Sequence, residues 1–293
     1  MVAIARPLSN STVMEVEPQL RARDEHAAQV TPHLDPGGSA QGDPAILDKS
    51  IVNSITAAGW RIEPMGDGCL IVEFGQRVDA EINRTARSVA HYMLAHPIEG
   101  VVDIVPAFTS VTVHYRPEAF SDSPAHDPPH RQLRRRIEAI LAQGITHPID
   151  VARLVEVPVC YGGDFGPDLT GVAASCGLAP EQVIELHGAS PHVVYMLGFA
   201  PGFPYLGGLD PRLAMPRRAT PRTKIPAGTV AIAREQTAIY SIETPGGWNL
   251  IGRTPLKLFA PQATPPCLLQ LGDRVRFVPI PLELFRTLEA QQA

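Results

Sequence analysis

Apolar and polar positions alternate in short runs from Trp60 onward, and the runs predict a definite order of elements. Residues 60–63 and 70–74 read as strands on either side of the turn Gly66-Asp67-Gly68. Residues 79–95 then carry Ile82, Ala86, Val89, Ala90 and Met93 at helical spacing. Residues 101–105 and 110–115 predict two further strands and 131–141 a second helix, with a Ser/Asp/Pro/His loop over 121–129. Strands, helix, strands and helix in that order predict a small α+β layer domain with its helices on one face of the sheet.

Beyond His147-Pro148 the pattern turns β-rich. Strands are predicted at 154–159, 192–197, 229–233, 238–242, 256–259 and 274–280, separated by Gly/Pro turns. That is how a closed or nearly closed antiparallel barrel is written. Short helices are predicted at 169–176 and 180–187, the second opened by a Pro in its first turn, and a last one at 282–291 after Pro281. Residues 1–45 mix Ser, Thr, Pro, Asp, Glu and Arg with no sustained period, and read as a disordered tail or as sequence upstream of the true start. The expected organisation is a tail over 1–45, an N-terminal α+β domain over 46–146 and a β-barrel domain over 147–293.

Composition narrows the partners. A net charge of −5 gives no support to a nucleic-acid or anionic-membrane surface. The 30 prolines favour loops and strands over a helical bundle. Cys69, Cys160, Cys176 and Cys267 lie far apart with no metal-ligand spacing, as buried thiols of a reducing compartment would. With no apolar run near the roughly 20 residues of a membrane span and no signal-type apolar stretch, the expected location is the cytoplasm.

Candidate chemistry concentrates between His187 and Thr254. Gly and Pro fix loop shape there, while aromatics and cations recur between them. Residues 247–254 nearly match a phosphate loop, but Arg253 stands where Lys is required and the residues that follow read as strand rather than helix. Arg217, Arg218, Arg222, Lys224 and Arg253 form a cation set that looks like an anion-recognition patch, with Arg218 its weakest member. His187 ends a helix before Gly188, a natural cap. It is either a dipole-stabilised terminus or a proton donor or acceptor in a cleft with Tyr195 and Tyr205. Tyr195, Phe203, Tyr205, Tyr240 and Trp248 are barrel core or an amphipathic pocket wall, and Phe199 is the one better read as core. Asp168 reads as a helix N-cap. No metal set and no nucleophile emerges.

Several motifs together carry a resemblance. Gly66-Asp67-Gly68, Glu73-Phe74-Gly75, Asn83, Val105-Pro106-Ala107-Phe108, Val159-Cys160-Tyr161-Gly162-Gly163, Gly166-Pro167-Asp168-Leu169, the stretch from His187 to Thr254, and Gly272-Asp273 are similar to the B-type subunits of 5-oxoprolinase. That family is also called the sporulation kinase-inhibitor or allophanate hydrolase subunit 1 family. The resemblance implies a cyclophilin-like antiparallel barrel after the α+β domain. It also implies a second, related subunit (C type) that completes a carboxyltransferase-like pair, and a third (A type). Such a complex opens 5-oxo-L-proline to L-glutamate with ATP as its cofactor. On that footing Arg217, Arg222, Lys224 and Arg253 are expected anion contacts. His187, Gln236 and Tyr240 are expected hydrogen-bonding groups, with Tyr195, Phe203, Tyr205 and Trp248 lining the substrate. The alternatives are a urea- or allophanate-processing carboxyltransferase subunit and a non-enzymatic histidine-kinase inhibitor. The lack of a Walker loop and of a biotin-acceptor Met-Lys pair favours a subunit over an autonomous enzyme.

Overall fold

Alternation in the first half of the chain produces a sheet with one buried face. A computed structural model describes residues 59–120, 127–145, 152–189 and 191–292. Its strands β1 (Arg61–Pro64), β2 (Cys69–Glu73), β3 (Val101–Pro106) and β4 (Ser110–Tyr115) pair antiparallel in the order β1-β2-β4-β3. Along β4, Val111, Val113 and Tyr115 are buried while Thr112 and His114 are only half-buried, the period of two that a one-sided sheet requires. Helix α1 (Ala80–Ala95) opens at Asp79, whose Oδ1 accepts from the backbone N–H of Glu81 at 2.8 Å and of Ile82 at 3.3 Å. Its apolar stripe joins that of α2 (Pro129–Ala142) in one core with Ile62, Leu70, Val72 and Phe120.

The second half closes into a seven-stranded barrel. Its strands are β5 (Leu154–Tyr161), β6 (His192–Leu197), β7 (Pro204–Gly207), β9 (Thr229–Ala233), β10 (Gln236–Ile239), β12 (Asn249–Arg253) and β13 (Arg274–Pro279). They run β10-β7-β6-β13-β5-β12-β9, with β9 returning to β10. A separate ribbon pairs β8 (Arg222–Ile225) with β11 (Thr244–Gly246). Helices α3 (Leu169–Cys176) and α4 (Pro180–Ala189) follow β5, and α5 (Leu282–Gln291) follows β13.

Three expectations change. The barrel pairs are antiparallel except β5 with β13, which run parallel from Arg274↔Leu154 to Pro279↔Val159. These strands lie at the two ends of the barrel sequence, where no hairpin imposes antiparallel pairing. The strand expected at 256–259 is not one. Pro255 and Pro261 bracket a stretch that makes only the isolated bridge Phe259↔Cys267. The strand expected at 238–242 lies instead at Gln236–Ile239 (β10), and residues 247–254, already set apart from a true phosphate loop, lead into and form β12.

The chain separates into Met1–Ile46 and Leu47–Ala293. The first of these, with the expected tail, lies outside the described residues, as does the expected boundary between 146 and 147. Among the described residues no helix is long and apolar enough to cross a membrane.

Asn83 ties the layer to the barrel. Its side chain is fully buried, and Nδ2 donates to the carbonyls of Ala107 (3.2 Å), Phe108 (3.2 Å) and, on β6, Tyr195 (3.1 Å). Its Oδ1 accepts from Nε of Arg87 at 2.9 Å. Asn83→Ala leaves these buried groups without a partner, so urea unfolding should show a loss of about 3 kcal/mol. A loss under about 1 kcal/mol would mean that the clasp adds nothing to ordinary packing.

Candidate functional site

Four aromatic side chains meet on the outer face of the barrel wall made by β7, β10, β9 and β12, packed on Ala231, Ala233, Ala238 and Leu250, while the alternate positions Val230, Ile232 and Ile239 fill the barrel interior. Phe203 immediately precedes β7 and Tyr205 lies on it. Tyr240 follows β10, and Trp248 precedes β12. Ring centroids stand 4.9 Å apart for Phe203–Tyr205, 5.2 Å for Phe203–Tyr240 and 5.9 Å for Tyr205–Trp248. Phe203, Tyr240 and Trp248 are buried, and Tyr205 is half-buried. Phe108, from the β3–β4 turn, meets Tyr205 edge-on at 5.5 Å, so the layer contributes to the same cluster. A glycine is required at 246, because a Cβ there would overlap the Tyr240 hydroxyl. That requirement accounts for one glycine of the Pro245-Gly246-Gly247-Trp248 motif.

One cation is aimed at this cluster. The Arg217 guanidinium lies 5.9 Å from the Trp248 ring centroid, and among the described residues no carboxylate pairs with it. Burial raises the Tyr240 phenol to about 12, against the opposing pull of a backbone hydrogen bond at Trp248. Burial also raises Tyr205, with Arg217 opposing. Both phenols are therefore neutral hydrogen-bond donors at physiological pH.

The other expected cations are paired or placed elsewhere, although Arg222 is near enough to favour ionisation of the Tyr240 phenol together with Arg217. Arg222 donates to Asp168 through both Nη1 and Nη2 at 2.8 Å, and Arg218 donates to the same carboxylate at 2.9 Å. The backbone N–H of Leu250 donates to it as well, at 2.8 Å. Asp168 holds the N-cap position of α3 but makes no side-chain cap bond. The expected cap is instead an anchor that joins α3, the 217–222 loop and β12. Lys224 is exposed and lies 3.1 Å from Glu243. Arg253 sits at the opposite end of β12 from Trp248, about 16 Å away along an extended strand. Its guanidinium stacks 4.8 Å over Phe165, its Nε is buried without a partner, and burial lowers its pKa. The five cations do not make one patch.

His187 does not line a cleft with Tyr195 and Tyr205. Helix α4 continues through Gly188 to Ala189, so Gly188 is not its cap, and the imidazole is fully buried. Nε2 lies 2.9 Å from the Thr237 hydroxyl and Nδ1 lies 2.7 Å from the Tyr161 hydroxyl. Thr237 donates its own proton to the Ala231 carbonyl at 3.1 Å, so its oxygen accepts from Nε2–H, and Nδ1 accepts from Tyr161. Every proton in this chain has a place, and burial holds the His187 pKa well below 6.5.

A titration test follows from that burial. Unfolded His187 takes up a proton below about pH 6.5 while the folded imidazole stays neutral, so its contribution is complete above that pH and is lost as pH falls. About 1 kcal/mol of unfolding free energy should disappear between pH 7 and 5.5 on this account. The drop should be smaller by that amount in His187→Gln, and an identical drop in both proteins would contradict the assignment.

Tyr195 is buried against Gly207, where a Cβ would overlap its ring, and it faces the charges of Asp79, Arg87 and Glu81 rather than Arg217. Gln236 opens β10 with its Nε2 buried and without a partner. Phe199 reverses the expectation of a core residue. It is 66% exposed and holds φ at 68°, in the left-handed region, while its ring meets Phe203 edge-on at 5.3 Å. Sequence reasoning missed Phe108 and the anchoring role of Asp168. Both lie in the motifs Val105-Pro106-Ala107-Phe108 and Gly166-Pro167-Asp168-Leu169, the only signal that pointed to them.

The chain is similar in sequence and fold to known proteins. Residues 60–269 match the model of the carboxyltransferase domain, subdomain C and D. The B-type subunit of 5-oxoprolinase from Bacillus subtilis (strain 168) is 48% identical over 224 residues, covering 75% of this chain and 93% of the relative. A crystal structure of TTHA0988 superposes with a TM-score of 0.62 at 38% identity, covering 73% of this chain and 40% of that one. The urea carboxylase of Kluyveromyces lactis gives a TM-score of 0.62 at 19% identity, a likeness of fold alone, over 78% of this chain and 22% of that one. The chain thus spans two-fifths or less of these two solved proteins and nearly the whole of the Bacillus subtilis relative. With its closed barrel, its α+β layer and this agreement in sequence, the chain belongs to the family of 5-oxoprolinase B-type subunits, which is built on the carboxyltransferase domain, subdomain C and D.

Proposed function

We propose that the chain is the B-type subunit of an ATP-driven 5-oxoprolinase. In this reading it recognises 5-oxo-L-proline, whose ring is opened to L-glutamate in a complex with a related C-type subunit and an A-type subunit. The observation that carries the proposal is Arg217, unpaired with carboxylate among the described residues and held over Trp248 beside the neutral phenols Tyr205 and Tyr240. A small lactam acid offers a carboxylate to a guanidinium, a flat ring to aromatic faces and an amide oxygen to a phenolic O–H. Charge that builds on the amide oxygen during ring opening is met by a donor already fixed in place.

ATP does not fit the stretch that most resembles a nucleotide motif. Residues 249–253 are a barrel strand with its backbone groups committed to β5 and β9. We therefore assign nucleotide chemistry to the partner subunits. Arg217 and Tyr205 remain accessible, and Phe199 projects outward beside Phe203, which supports a partner covering this face of the barrel wall.

Co-expression of the chain with C-type and A-type subunits, followed by an assay of ADP release, tests the function. Release that depends on 5-oxo-L-proline and on the presence of this chain is the expected result. Release on urea or allophanate in place of 5-oxo-L-proline would overturn the substrate assignment.

A further inference from the structure

A second, cationic cleft lies away from the aromatic cluster, where α1 packs against the barrel. Its volume is about 670 Å³, within the usual size of small-molecule sites. Four arginines line it, Arg84 and Arg87 from α1, Arg153 before β5 and Arg274 on β13, against the single carboxylate of Asp273. That balance is unusual in a chain of net charge −5. Asp273 is already paired with Arg153, and Arg84 is paired with Glu81. Among the described residues no carboxylate pairs with Arg87 or Arg274.

Arg87 has the marks of a prepared ligand. Its Nε is fixed by the buried Asn83 side chain, which sets the plane of the guanidinium and leaves Nη1 and Nη2 uncommitted to any carboxylate among the described residues. Nη1 lies directly against Gly272, which holds φ at 85° and where any Cβ would overlap it. The family motif Gly272-Asp273 thus makes room for this guanidinium and supplies the counter-charge for its neighbour Arg153. Burial and the like charge of Arg84 both disfavour the charged form of Arg87, a cost that an incoming anion relieves. Beside the cations the cleft carries Leu94 and Leu271, both exposed.

From this arrangement we infer that the cleft between α1 and β13 binds a small organic anion, with a phosphate or carboxylate head on Arg87 and Arg274 and an apolar body on Leu94 and Leu271. The site is distinct from the Arg217 cluster, and the inference does not rest on the proposed 5-oxoprolinase activity.

Calorimetric titration of the full chain with butyl phosphate and, separately, with butyrate, whose aliphatic bodies suit Leu94 and Leu271 and offer no flat ring to the aromatic cluster, distinguishes the two head groups. At low ionic strength at least one should bind with Kd below about 1 mM. Binding should weaken at least tenfold in Arg87→Gln and in 0.3 M NaCl, and stay unchanged in Arg217→Ala. Arg87→Lys keeps the charge without the fork and should fall between Arg87→Gln and the unaltered protein. Each variant is first checked for unaltered thermal unfolding, and Arg274→Gln replaces Arg87→Gln if the latter fails to fold. Absence of binding by both probes, equal affinity in Arg87→Gln, or loss of binding in Arg217→Ala overturns the inference.

Discussion

Replacing Arg217 with alanine in the assembled three-subunit complex is expected to lower kcat/KM for 5-oxo-L-proline about a hundredfold, with little change in stability. The guanidinium is exposed and carries no ion pair among the described residues, so its removal orphans no buried group. On the proposed reading the loss is that of a charge-assisted contact to the substrate carboxylate, and a hundredfold corresponds to about 2.7 kcal/mol of transition-state binding. Arg217→Lys should recover part of the loss, because a point charge replaces a planar fork. An effect of less than about threefold from Arg217→Ala would show that the cation has no contact with substrate. Arg253→Ala is the internal contrast: at the far end of β12, stacked on Phe165, it should affect turnover far less.

Asp168→Ala should cost about 3 kcal/mol of stability by urea unfolding at pH 7, as much as Asn83→Ala. The carboxylate is mostly buried and satisfies two guanidinium groups and one backbone N–H from three elements. Removing it leaves Arg218 and Arg222 facing each other without a counter-ion. The pH dependence follows from the same contacts. Burial raises the Asp168 pKa, but the hydrogen bonds from Arg222 and Leu250, with the charges of Arg222 and Arg218, outweigh it and hold the carboxyl below its usual 3.8. The stabilisation is therefore complete above about pH 4 and is lost as pH falls through the lower folded value. The gap between Asp168→Ala and the unaltered protein should narrow below pH 4. A gap that stays constant down to pH 2 would exclude the ion pairs as its source.

Elements were legible wherever local pattern decides them. Ser110–Tyr115, with one face buried, and Leu282–Gln291, with a Pro before it, form over the predicted residues. Strands β7 and β12 escaped because Pro204, Gly207 and Gly252 read as turn residues, and inside a barrel such residues admit close neighbours instead. A Cβ at Gly207 would overlap Tyr195, and one at Gly252 would press on Val159. The parallel β5–β13 pair was illegible, since no local signal records a contact across the whole barrel sequence.

The candidate site divides along the same line. The aromatics could be read as a group because they fall close together in sequence and in space. The pairing of the cations could not, because the partner of Arg218 and Arg222 stands 50 and 54 residues away. His187 looked like an available helix terminus, and only the fold brings Tyr161 and Thr237, 26 and 50 residues distant, onto its two nitrogens.

Substrate recognition by the aromatic cluster can be observed at the residue itself. The chain has two tryptophans, Trp60 in the layer and Trp248 in the cluster. With 5-fluorotryptophan incorporated into this chain alone, fluorine NMR of the assembled complex reports each separately. Addition of 5-oxo-L-proline should shift the Trp248 resonance and leave that of Trp60 unmoved, and Arg217→Ala should remove the shift. A Trp248 resonance unchanged at saturating 5-oxo-L-proline, in a complex that turns the substrate over, would contradict the assignment of this cluster as the place where the lactam is held.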